Sequence, residues 1–202
     1  MSIEKLIAGF KQFRRYYYQD RPEVYKTLVA KGQSPDTMVI ACSDSRVNPS
    51  IITQADPGDL FVVRNVANLV PPCEPGDSLH GTGAAIEYGV KDLKVKTIIV
   101  MGHSHCGGIR WMAEGHLSPE SRAFVDSWVT TADPAKPGTV TDETLRAAEK
   151  KAVTLSLENL LTYPWVKEAV ERGDLEVLGW LFDMEQGQLL GYSTDKGWSP
   201  LS

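Results

Sequence analysis

Three short runs decide what this chain can fold into. Met38-Val39-Ile40-Ala41, Leu60-Phe61-Val62-Val63 and Thr97-Ile98-Ile99-Val100-Met101 are continuously apolar and rich in β-branched residues. A strand with one face in water alternates polar and apolar residues, whereas a continuous run is buried on both faces, as in a parallel sheet covered by helices. A fourth run, Leu175-Glu176-Val177-Leu178-Gly179-Trp180-Leu181-Phe182, follows a long amphipathic stretch over 142–161. Helical patterns near 49–54, over 84–93 and after Gly107 separate the first three runs and follow the third. Strands alternating with helices predict an α/β fold whose sheet is mostly parallel. Glu185-Gln186-Gly187-Gln188 then predicts a hairpin turn into an antiparallel edge strand over 189–193.

Ahead of the first strand stands a helical arm. Ile3, Leu6, Ile7, Phe10 and Phe13 recur at helical spacing and predict an amphipathic helix from residue 3 to about 18. A second helix is expected with Asp20 as its N-cap, Pro22 just inside and a stop before Gly32. This arm, residues 1–32, carries Tyr16, Tyr17 and Tyr18 in a row, and it either packs on its own core or reaches across to another subunit. With no repeat and no linker, the 202 residues read as a single domain with one sizeable core.

Composition narrows the function classes. The 26 acidic and 21 basic side chains leave a formal charge of −5, which argues against nucleic acid as the main partner. No apolar run approaches the length of a membrane span. Glu4 and Lys5 stand where a signal peptide would have its apolar core, so export is not expected. Three cysteines are odd in number and too few for a disulfide scaffold. The expected location is the reducing cytoplasm, where each cysteine needs a reason of its own.

Two of them have one. Cys42 closes the first run and opens Cys42-Ser43-Asp44-Ser45-Arg46. His103 follows the third run and opens His103-Ser104-His105-Cys106-Gly107-Gly108. In parallel α/β sheets the site forms beyond the carboxyl ends of the strands, where strand order reverses. His103 and Cys106 have the spacing of two ligands on one turn of chain, and Cys42 would complete a set of two thiolates and one imidazole. That set suits zinc, and three protein ligands leave a fourth position open, as catalytic sites do. His105 is the competing ligand, disfavoured because it adjoins Cys106. Cys73, in the loop Pro72-Cys73-Glu74, is expected to be a bystander.

Two thiolates cancel the charge of the dication, so a zinc so held acidifies its water less than one held by three imidazoles. A nearby carboxylate is then needed to orient the nucleophile. Asp44 is two residues from Cys42; it could serve this way or swing in as a fourth metal ligand. Arg46 could hold it off the metal with a bidentate fork.

Cys-x-Asp-Ser-Arg followed by His-x-x-Cys-Gly-Gly resembles the β-class carbonic anhydrases, in particular their plant-like subgroup. The likeness extends through Gly32-Gln33-Ser34-Pro35, Pro57–Asn68 and Ala84-Ala85-Ile86-Glu87-Tyr88, and is dense from 33 to 111. The resemblance implies a four-stranded parallel sheet with an added antiparallel strand, assembled as a homodimer or a multiple such as a homotetramer. It implies one zinc ion on Cys42, His103 and Cys106, with Asp44 and Arg46 as a catalytic dyad. It further implies a substrate pocket for carbon dioxide and bicarbonate of Gln33, Phe61, Val66, Tyr88 and Gly107, with Gln33 acting across a dimer interface. Without the family, Gln33 would read as a surface loop residue and Phe61 and Val66 as core.

The expected reaction is zinc-dependent reversible hydration of carbon dioxide, with a zinc-bound hydroxide as nucleophile. A close rival is hydration of carbon disulfide or carbonyl sulfide, against which Gln33 weighs. A zinc protein without turnover is disfavoured by the open fourth position and the Asp44–Arg46 pair. His80, His105 and His116 are the histidines that could carry the released proton, none singled out by sequence. One bacterial branch that resembles an on–off switch needs Trp and Gly upstream of the metal cysteine; Val39 and Ala41 stand there, although Arg64 matches.

Overall fold

The computed structural model describes residues 1–74, 80–115 and 122–201. Helices α1 (Ile3–Arg15) and α2 (Glu23–Lys31) form the arm, and β1 (Thr37–Cys42) opens the sheet. There follow α3 (Pro49–Ile52), β2 (Leu60–Asn65), α4 (Gly81–Glu87), β3 (Thr97–His103) and α5 (Gly107–Ala113). The chain closes with α6 (Val125–Val129), α7 (Asp142–Leu160), α8 (Pro164–Glu171), β4 (Glu176–Asp183), β5 (Gln188–Ser193) and β6 (Gly197–Pro200).

The six strands lie in the order β2-β1-β3-β4-β5-β6. The first four are parallel, and β5 and β6 add antiparallel strands. The expected parallel four and antiparallel addition are present. The further strand β6 was not foreseen: it is four residues long, marked mainly by Trp198 packing on Tyr192 at 5.5 Å.

Burial follows from the apolar runs. Met38 and Ile40 of β1, with Ile98 and Val100 of β3, point to one face and pack under Val153 and Leu160 of α7, Val166 of α8 and Ile86 of α4. Val39, Ala41, Ile99 and Met101 point to the other, packed with Ile52 of α3 and with half-buried Leu60, Leu178 and Trp180. Helix α7 lies so close to β3 that a Cβ on Gly102 would come within 2.5 Å of Val153 Cγ2. Only glycine fits that contact, which seats the carboxyl end of β3 against the helix.

The arm corrects one expectation. Asp20 is not the N-cap of α2, which starts at Glu23 after Pro22. Helix α1 instead runs on through a wide turn over Tyr16–Asp20, so Asp20 belongs to its end, with its carboxylate 3.9 Å from Arg15, and Arg21 breaks the helix. No residue of α1 or α2 is buried. The arm is tethered to its own chain through Asp56, which accepts from Tyr17 Oη and pairs with Arg21, each at 2.9 Å. Helix α4 begins three residues before the expected 84, because His80 caps it: its Nδ1 accepts from Gly83 N–H at 2.8 Å.

Candidate metal centre

The chain enters β1, steps outward to β2, then crosses back to β3 on the other side of β1. The carboxyl ends of β1 and β3 therefore flank the point where strand order reverses. Cys42 ends β1 and His103 ends β3; Cys106 precedes α5. The ligating atoms of Cys42, His103 and Cys106 all lie within 4.8 Å of one another, and all three residues are buried. Among the described residues no other group of this kind occurs.

Their orientation is set by second contacts. His103 Nδ1 donates to the Ser104 carbonyl at 2.8 Å, which fixes the tautomer and leaves Nε2 as the lone-pair nitrogen. That Nε2 is buried without a partner, an orphan that a metal ion would satisfy. Cys42 Sγ accepts from the N–H groups of Asp44 at 3.4 Å and Ala67 at 3.3 Å. Ala67 takes a left-handed φ of 65° to aim its N–H there. The N–H groups of Gly108 and Ile109, at the start of α5, favour the ionised form of Cys106. Close approach matters here too, since a Cβ on Gly108 would meet Val66 Cγ1 at 2.8 Å. His105 has φ 58°, the left-handed turn that lets His103 and Cys106 face one point.

The two thiols are pushed in opposite directions. The hydrogen bond from Cys106 draws the Cys42 thiol down to about 4, against its burial and helped by His103. The same contact with Cys42, and then burial, pushes the Cys106 thiol well up. A dication is what would let both ionise. Two sulfurs and one imidazole, one nitrogen orphaned, fit a borderline-soft metal ion.

Beside this group stands the expected pair. Arg46 donates to Asp44 in a fork, Nε to Oδ1 at 2.9 Å and Nη2 to Oδ2 at 2.6 Å, and its backbone N–H adds a third bond to Oδ1 at 2.9 Å. The Arg46 bond is the main reason the Asp44 carboxyl is held well below its usual range. Arg46 Nη2 also donates to the His105 carbonyl at 3.0 Å, which ties the Cys42 segment to the His103–Cys106 turn.

The pocket residues divide. Val66 and Gly107 are at the metal centre, Val66 against Gly108 and Gly107 next to Cys106. Phe61 is level with Met38 on β1, and Tyr88 packs on Phe61 at 6.0 Å. Gln33 precedes β1 altogether. Since about 13 Å of strand separates Met38 from Cys42, Gln33, Phe61 and Tyr88 stand apart from their own chain's metal centre, at the other end of β1 and β2.

Three site features were not foreseen. Glu149 of α7 is 4% exposed, and its Oε1 accepts from the Cys106 N–H at 2.9 Å and from Arg146 at 3.0 Å. Its burial holds that carboxyl above the usual range. The signal was there: Glu149 falls on the inward stripe of Leu145, Ala148, Ala152 and Ser156. Asn65 brackets the Val66–Asn68 turn through Leu69, and Trp128 Nε1 donates to the Val66 carbonyl at 2.7 Å. Of the three histidines, His80 caps α4 and His105 bonds Glu185 at 2.5 Å, while His116 lies outside the described residues. Cys73 is half-buried, away from the metal group, its N–H on Thr162 Oγ1 at 2.7 Å.

Comparison with known proteins supplies the family. The carbonic anhydrase family pattern matches residues 37–189. A carbonic anhydrase of Synechococcus elongatus is 36% identical over 198 residues, 95% of this chain and 72% of that protein. The chloroplastic β carbonic anhydrase 5 of Arabidopsis thaliana is 43% identical over 177 residues, 84% of this chain and 58% of that protein. The solved structure of the β-carbonic anhydrase CcaA superposes with a TM-score of 0.91 at 33% identity, covering 99% of this chain and 92% of that one. The match runs from β1 into β5 and takes in all three residues of the metal group, so the chain belongs to the carbonic anhydrase family, in its β class, and is an enzyme of that family.

Proposed function

We propose that the chain catalyses the reversible hydration of carbon dioxide to bicarbonate and a proton, using one zinc ion held by Cys42, His103 and Cys106. The observation that carries this reading is the buried Cys-His-Cys group with an orphaned imidazole nitrogen and the Asp44–Arg46 fork on the segment next to it. When bound, the ion supplies Lewis acidity that turns a water into a nucleophile near neutral pH.

The chain's own residues supply the rest. The N–H groups of Asp44 and Ala67 draw charge off the Cys42 sulfur and so would leave a bound metal more electrophilic than the bare ligand count implies. Asp44, kept ionised by Arg46, accepts a hydrogen bond from the reacting water and aims its free lone pair at the carbon. Val66 offers an apolar wall that suits a nonpolar gas.

Gln33 offers an amide donor to oxygen as negative charge develops there, and Phe61 and Tyr88 supply apolar lining. Because these residues stand at the far end of β1 and β2, they serve the site of a second copy. We read the enzyme as a homodimer or a multiple of it, with residues 1–32 lying on the neighbour. In support, Ile3, Leu6, Ile7 and Phe10 of α1 are all more than half exposed, and Leu178 and Trp180 on the sparsely covered sheet face are only half-buried. Among the described residues no helix is long and apolar enough to cross a membrane. The free cysteines fit a reducing compartment, the cytoplasm.

The test is proton release on mixing the purified protein with carbon dioxide, with and without a strong chelator, beside carbon disulfide. We expect fast release abolished by the chelator, and a much slower reaction with carbon disulfide. No release by a protein shown to carry zinc would overturn the proposal, and preference for carbon disulfide would overturn its substrate.

A further inference from the structure

Arg64 belongs to none of the groups assigned so far. It lies on β2 opposite Ala41, one strand away from Cys42. Its Nε donates to the Cys42 carbonyl at 2.9 Å, and its Nη2 donates to the carbonyls of Asp44 and Val47 at 2.7 and 2.8 Å. These three carbonyls belong to the segment that leaves the sheet after β1. Within it, Ser43 N–H still reaches Asn65 O on β2, at 2.8 Å, and beyond that the ladder ends. Peptide groups that leave a ladder need other partners. Here one planar, permanently charged side chain supplies three of them, which the point charge of a lysine cannot do with the same geometry.

Asp44 is thereby gripped at both ends. Its carboxylate receives the Arg46 fork and the Arg46 N–H; its carbonyl receives Arg64 and the Val47 N–H at 3.1 Å. A rotation of the Cys42–Val47 turn that carries Asp44 toward the metal group must break bonds to Arg64. We infer that Arg64 is a positioning residue that locks this turn with Asp44 facing Arg46, and so keeps the fourth metal position open to small ligands. The inference rests on the proposed roles of the metal group and of Asp44.

It is tested on the full-length protein with R64Q and R64K, by measurements that need no turnover. In R64Q, amide hydrogen exchange at residues 43–47 should quicken at least tenfold, in both metal-free and zinc-loaded protein, while β3 exchanges as before. Azide binding, followed by the visible spectrum of the cobalt(II)-substituted protein, should weaken at least tenfold as Asp44 takes the open position. The double variant R64Q/D44N should regain it. R64K, with charge but no fork, should behave like R64Q; if R64Q fails to fold, R64K alone carries the test. Wild-type exchange and azide affinity in both variants would overturn the inference, as would failure of D44N to restore azide binding. Were the wild type inactive on carbon dioxide, the proposed function would fall while these readouts still decided the role of Arg64.

Discussion

The two ends of β1 and β2 are built differently. At the carboxyl end the turns carrying Cys42, His103 and Cys106 are bonded from several sides, by Arg64, Ser104, Ala67 and Glu149, all within one chain. At the amino end Gln33 is exposed, Tyr88 is 46% exposed, and the arm leaves Ile3 and Phe10 at 67% and 61% exposure. A polar centre that must be preorganised is finished inside the chain, because an unsatisfied buried group is costly. An apolar surface left open is a surface for a partner. On the proposed function, metal chemistry is a property of one chain, and a complete substrate pocket is a property of two.

The largest effect that could break this contrast lies at the metal. Replacing Cys42 or Cys106 with serine should weaken zinc binding more than about a hundredfold, since loss of an outer-shell contact alone typically costs 10- to 100-fold. Activity should vanish with the metal, and the chains should still assemble. Cys73→Ser should change neither. Elemental analysis that finds full zinc in Cys42→Ser would mean the ligand set is wrong.

Next in size is Arg46→Ala. With the fork gone, the Asp44 carboxylate loses its hold while Arg64 still bonds the Asp44 carbonyl, and activity should fall about a hundredfold, within the range for loss of a preorganised charged group. Zinc content should stay at one per chain, so the change separates turnover from metal binding. A crystal of the wild type near pH 7.5 with Asp44 on the metal would show that the fork does not hold the site open.

A smaller loss tests the other end. Deleting residues 1–20 removes the apolar stripe of α1 and the tyrosines while leaving every metal-centre contact in place. Sedimentation should find mainly monomers, with normal zinc content and activity reduced about tenfold or more by loss of the partner's Gln33. A fully active monomer would remove the distinction between the two ends.

Much of this was legible in the residues, for a physical reason. Strands buried on both faces must be continuously apolar, so β1 to β4 announce themselves, and ligands at strand ends are spaced by the chain. Asp44–Arg46 was legible because a fork needs only a short loop. What stayed hidden was set by tertiary context. Arg64 stands out in the sequence only as a match to the bacterial branch, and its bonds to the turn after β1 come into view only in the fold. His80 is a rare cap, so α4 starts before its apolar pattern does, and Asp20 has no capping role because α1 continues past the tyrosines. Glu149 needed only attention to an acid on an apolar stripe.

The smallest expected effect compares two carboxylates, one from each end. Asp44 is depressed mainly by Arg46, and Asp56 by its hydrogen bond from Tyr17 and then by Arg21. A carboxyl whose folded value lies below its unfolded value stabilises the fold above the ordinary carboxylate range, and that contribution is lost as pH falls through the folded value. Asp44 is held further down, so acid should release the arm's tether before it reaches the fork, which carbon-13 titration of the two carboxyls would read directly. Asp56→Asn imitates that first step at neutral pH: it keeps an acceptor for Tyr17 and removes the charge facing Arg21. Both partners are partly exposed to solvent, so the dimer dissociation constant should rise by about fivefold or less, with zinc and activity per assembled dimer unchanged. Complete dissociation of Asp56→Asn would mean that assembly depends on this tether fixing the arm to its own chain, and not on the apolar face of α1 alone.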